Sequence, residues 1–108
     1  MNKQVDELYA KVLNEIRNNA SKSKPIKLSK LNDNVGLSAR ETKRIISDLR
    51  NDYPIVAKET EGGGYWIAES NDDIIEFIQM ITRRRDGYDD TIQKMNLFLV
   101  DNGDIPTT

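Results

Sequence analysis

Three observations predict an α+β domain made of a three-helix core, a two-stranded hairpin and a C-terminal helical extension. Apolar residues recur at helical spacing in several separate stretches, a glycine-containing turn joins two of them, and three consecutive glycines separate two short runs of β-forming residues. The expected organisation is a core domain over residues 1–70, an extension over 71–100 and a flexible tail over 101–108. A chain of 108 residues has room for one compact domain of this kind.

From Val5 to Ile16 the residues Val5, Leu8, Tyr9, Val12, Leu13 and Ile16 follow the i, i+3, i+4, i+7 spacing of an amphipathic helix. Asn18, Asn19, Ser21 and Ser23 break the pattern, and Pro25 disfavours helix at Lys24, so a polar loop follows. Ile26 and Leu28 alternate with Lys27 as a very short strand. Ser29 is placed to cap a second short helix through Leu31 to Val35, with Gly36 where a left-handed helix end is wanted.

Ser38 and Glu41 form a capping-box pattern that opens a third helix, running to about Asp52. At 100° per residue, Thr42, Ile45, Ile46, Leu49 and Tyr53 share one arc, and Arg40, Lys43, Arg44, Ser47 and Asn51 share the opposite one. The first arc reads as core and the second as a cationic, polar surface. Two helices joined by a short turn containing Gly, the second opened by a capping Ser, make a helix-turn-helix pattern.

Tyr53-Pro54 stops that helix. Ile55 to Thr60 and Tyr65 to Ala68 read as paired strands around Glu61-Gly62-Gly63-Gly64. Ser70 or Asn71 caps a further helix with Asp72, Asp73 and Glu76 near its positive end and Ile74, Phe77, Ile78 and Ile81 on one stripe. Asp86-Gly87 breaks it after Arg83-Arg84-Arg85, a cluster expected to be solvated and paired with Asp86, Asp89 or Asp90. Ile92, Met95 and Leu99 repeat at helical spacing beyond the break.

Composition narrows the chemistry. The chain has no Cys and no His, which excludes thiol catalysis, Ser-His-Asp and Cys-His machinery, disulfides and the usual zinc sites. Neither an enzyme nor a cofactor is expected, and the glycines at 62 to 64 do not lead from a strand into a helix as a phosphate-binding loop would. Short apolar runs and an early charged segment predict no membrane span or secretory signal, hence a cytoplasmic protein. The net charge of −2 conceals an asymmetry: residues 1–60 carry 12 basic and 8 acidic side chains, residues 61–108 carry 4 and 10. A basic surface beside an acidic remainder is one sign of a nucleic-acid partner.

The segment from Ile26 to Ala68 resembles the winged helix-turn-helix of bacterial biotin-operon-repressor-type and DeoR-type regulators. Leu31, Gly36-Leu37-Ser38, Arg40, Arg44, Ile46 and Leu49-Arg50 match the helical part of that pattern, and Tyr53-Pro54-Ile55 with Gly62-Gly63-Gly64-Tyr65-Trp66-Ile67-Ala68 matches its wing. The continuation into an acidic helix and Arg83 to Arg85 is similar to small uncharacterised proteins of phages and mobile elements. The resemblance implies a winged-helix fold and double-stranded DNA as partner. The chain departs from it at Asn32, where the family usually has Ala, at Thr42, often apolar, at Trp66, where a basic residue is frequent, and at the wing tip, where Glu61 replaces a cation.

The expected DNA-binding set is Ser38, Arg40, Lys43, Arg44 and Ser47 on the third helix, with Lys27 and Lys30 holding phosphates. Strand alternation with Tyr65 and Ile67 inward leaves Trp66 outward, to meet DNA sugar, the chain's own C-terminal helix or a partner protein. Ile92, Met95 and Leu99 supply apolar surface for a homodimer through terminal helices, or for folding back on the first helix. The leading expectation is a regulator of transcription or replication that binds duplex DNA. Its rival is an interaction module that inhibits a host replication or defence protein through the acidic half and Trp66.

Overall fold

The computed structural model describes residues 3–59, 63–84 and 89–100. It is α+β, with helices α1 (Lys3–Asn19), α2 (Leu28–Val35) and α3 (Ala39–Leu49), strands β1 (Ile55–Lys58) and β2 (Gly64–Ile67), and helices α4 (Asn71–Arg84) and α5 (Asp89–Val100). Among the described residues, no helix is long and apolar enough to cross a membrane. The wing tip at Thr60 to Gly62, the break at Asp86-Gly87 with Arg85, and the tail from Asp101 to Thr108 lie outside the described residues.

The strands pair antiparallel, Ile55 opposite Ile67 and Lys58 opposite Gly64. Ile26, expected as a short strand, makes a one-residue bridge on the other edge of β2: its N–H donates to the Tyr65 carbonyl (3.0 Å) and its carbonyl accepts from Tyr65 N–H (2.8 Å). Gly64 permits this close approach, since a Cβ there would stand 2.5 Å from the Pro25 Cβ, at a φ of 140°.

Two apolar clusters lie on opposite sides of the hairpin. Val12, Ile16, Leu31, Ile45 and Ile46 from the first three helices pack with Ile55, and Tyr65 and Ile67 lean against them. Val56, Trp66 and Ala68 form the second cluster with Ile74, Phe77, Ile81 and Met95. Alternation from Tyr65 to Ala68 is therefore as expected, but both faces are covered. Trp66, expected to face away from the first cluster, is only 5 % exposed because α4 lies over it.

A polar latch holds that second layer. Asp73, in the first turn of α4, accepts from the Trp66 indole N–H (3.1 Å) and the Glu69 backbone N–H (2.8 Å), and pairs with Lys22 Nζ at 3.1 Å. Burial alone would raise its pKa. The hydrogen bonds from Glu69 and Trp66 and the ion pair with Lys22 outweigh that cost and leave the carboxyl below its ordinary range. Arg50 ties the layers at the other end: its Nε donates to the Ile55 carbonyl (2.8 Å) and its guanidinium lies 4.9 Å from the centre of the Phe77 ring.

Helix boundaries differ modestly from expectation. α2 begins at Leu28, with Lys27 in the capping position and no side-chain cap, so Ser29 lies inside the helix and does not cap it. α3 ends at Leu49, after which i to i+3 bonds from Asn51 and Asp52 tighten the last turn toward Tyr53. Gly36 adopts the left-handed conformation expected, with φ 73°.

Candidate nucleic-acid interface

α3 is set by a local code. The Ser38 hydroxyl accepts from Glu41 N–H (3.2 Å) and donates to Glu41 Oε1 (2.9 Å), while Ser38 N–H reaches the same carboxylate, completing the capping box. Thr42, Ile45, Ile46 and Leu49 are buried beneath the helix. Arg40, Lys43 and Arg44 are consequently turned outward and exposed, three cations within the first half of the helix.

The other expected DNA-binding residues fare differently. Ser38 has its hydroxyl committed to the cap. Ser47 is half-buried, and its carbonyl accepts from Lys94 Nζ of α5 at 2.8 Å, so α5 flanks the C-terminal half of the polar face. Lys27 and Lys30 are exposed, but they line a shallow hollow with Lys24, Asn34 and Glu15 between α1 and α2. Glu15 there accepts from Asn19 and from Asn34, which ties α2 to α1.

Arg44 has company that local spacing only half reveals. Asp48, four residues on, accepts a hydrogen bond from the Tyr9 hydroxyl of α1. That bond, burial and the Asp48 charge raise the Tyr9 pKa, and Arg44 opposes the rise from nearby. By spacing Tyr9 belongs to the core stripe of α1, and nothing in the sequence pattern joins it to Asp48 across 39 residues. Lys94 and Arg50 leave no such signal either, since each acts across elements.

The residues expected to bind partners are largely turned inward. Trp66 and Met95 are buried in the second cluster, and Ile92 and Leu99 pack against it, so α5 directs this stripe at α4 and the second cluster. Trp66 does point away from the first cluster, and of the covers expected for it the chain's own C-terminal helical segment is the one present, while Ile92, Met95 and Leu99 face the chain's own interior. Among the described side chains of α5, Leu97 is exposed, at 70 %. Arg83 is exposed, and Asp90, expected beside the arginine cluster, pairs with Lys94 at 3.2 Å.

Among the described residues, no group of three or more carboxylates is placed to hold a metal ion. No family model, curated protein or solved structure matches the chain.

Proposed function

We propose that the chain is a winged helix that binds double-stranded DNA through the first half of α3, and so acts on transcription or replication. The observation that carries this reading is the exposed trio Arg40, Lys43 and Arg44, held outward by the capping box on one side and the buried Thr42, Ile45 and Ile46 on the other. Arginine and lysine on the leading half of a second helix can reach guanine O6 and N7 or the flanking phosphates. The flanking of Ser47 by α5 favours an approach by the leading end of the helix. The interaction-module alternative loses support at Trp66, which is covered by α4.

A mobility-shift series with a pool of random duplexes, from low to physiological salt, tests the proposal. Each phosphate that the protein no longer neutralises lowers the slope of log affinity against log salt by about 0.9, so Arg40→Ala with Lys43→Ala is expected to reduce it by about 2. No binding by the native chain at low salt would refute DNA binding.

A further inference from the structure

The outer edge of β1 carries an inference independent of the DNA reading. Tyr65 uses both its backbone N–H and its carbonyl on Ile26, so in β2 these two groups point away from β1. In an antiparallel ladder the residue opposite, Ala57, directs its own N–H and carbonyl away from β2 in the same way. Ile55 shares that outward parity, and the chain satisfies it: its N–H donates to the Tyr53 carbonyl (2.8 Å) and its carbonyl accepts from Arg50 Nε (2.8 Å). Among the described residues, no hydrogen bond reaches the outward N–H or carbonyl of Ala57.

Ala57 opens into a cleft instead of flat solvent. On one side lies a hollow of about 470 Å³ lined by Lys43, Ile46, Arg50, Phe77, Met80 and Ile81. On the other, a hollow of about 370 Å³ is lined by Trp66 and the same Phe77 and Met80, with the carboxylates of Glu59, Asp73 and Glu76 beside Arg83. An added strand sends alternate side chains to opposite faces, and a hollow waits on each face. Arg50 stacked on Phe77 closes the cleft at the Ile55 end.

We infer that the β1 edge at Ala57 is a docking site for an extended peptide segment of another protein, which adds to the sheet as a further strand with an apolar residue in the larger hollow. Three features select this occupant. The open backbone pair at Ala57 demands a partner with its own N–H and carbonyl, which a peptide strand offers and a duplex does not. The edge lies between hollows lined by residues of α3 and α4, an approach that fits a single extended segment better than a second folded copy whose own β1 is bracketed by the same helices. The larger hollow is lined by Lys43, Arg50 and Lys58 against Glu59, and the smaller by Lys58 and Arg83 against Glu59, Asp73 and Glu76. Acidic residues therefore suit the peptide face that meets the larger hollow, beside its apolar residue, and neutral ones the other face.

The test uses the full chain labelled with nitrogen-15 and an acetylated, amidated heptapeptide, Asp-Thr-Val-Thr-Val-Thr-Asp. Saturable binding near or below about 1 mM is expected, with the Ala57 amide shifted and gaining exchange protection. Ala57→Pro removes the donor at an edge position where proline is tolerated, and is expected to weaken binding at least tenfold with the circular dichroism unchanged. A peptide with Lys in place of both Asp residues is expected to bind several-fold more weakly. An Ala57 amide unmoved by the peptide, equal binding by a folded Ala57→Pro chain, or equal binding of the Lys-ended peptide would overturn the inference. Should Ala57→Pro fail to fold, a backbone N-methylated peptide against the native chain decides, and undiminished binding overturns it. Self-association of the native chain abolished by Ala57→Pro would assign the edge to a second copy and also overturn it.

Discussion

Removing the carboxylate of Asp73 tests how the second layer is fastened. In Asp73→Ala the Trp66 indole N–H and the Glu69 N–H lose their acceptor together. Each buried donor left unpaired costs about 1–3 kcal/mol, and the Glu69 donor, being partly buried, belongs at the low end, so a loss of about 3 kcal/mol is expected. Against a total of about 5–15 kcal/mol for a domain, that is a large fraction. Asp73→Asn keeps one acceptor oxygen and the side-chain shape, and is expected to cost about half as much. Urea unfolding followed by the fluorescence of Trp66, the single tryptophan, measures both. The pH dependence supplies an independent check. The native pKa of Asp73 is lowered, so its ionised form contributes stability above the unfolded value of about 3.9, and that contribution disappears as pH falls through the lower native value. The acid limb of native stability is therefore expected to flatten in Asp73→Asn. An Asp73→Ala chain within about 0.5 kcal/mol of native, with an unchanged acid limb, would refute the latch.

Other substitutions probe different parts of the fold. Thr42 is fully buried and its hydroxyl has no hydrogen-bond partner among the described residues, so Thr42→Val, nearly the same shape, is expected to raise stability by about 1 kcal/mol in the same urea titration. Gly36→Ala meets open space and only the strain of a left-handed backbone, about 1 kcal/mol, whereas Gly64→Ala also collides with Pro25 and is expected to lose about 3 kcal/mol, a difference visible as separate thermal midpoints. Met95→Ala removes a fully buried side chain at a cost of about 2–5 kcal/mol, while Leu97→Ser, at an exposed site, is expected to change stability by less than about 0.5 kcal/mol.

Features governed by near neighbours in the chain are readable from the residues. The Ser38 and Glu41 box, the Gly36 turn and the two faces of α3 each depend on interactions within a few positions, and each stands as the spacing indicates. Ser29 misleads because a capping residue type recurs close to the true start, and Leu28, one position before it, already begins the helix. Trp66 misleads for a different reason. Strand alternation tells which residues share a face, but not whether that face is covered, and α4 comes from further along the chain to cover it. The roles of Asp73, Arg50, Tyr9 and Lys94 are equally non-local. Asp73 sits where a helix dipole alone would explain an acid, so its hold on Trp66 leaves no separate mark in the sequence.

The bridge between Ile26 and Tyr65 has a dynamic consequence. α2, α3 and β1 all lie in the stretch of chain between those two residues, so the bridge is the neck of a closed loop that contains the cationic helix. Its two hydrogen bonds hold the ends of that loop together, so the segment moves against α1 as one closed body while they last and comes apart at its ends only when they break. Exchange of the Ile26 and Tyr65 amides with deuterium would then time the opening of the neck, separately from any movement against α1.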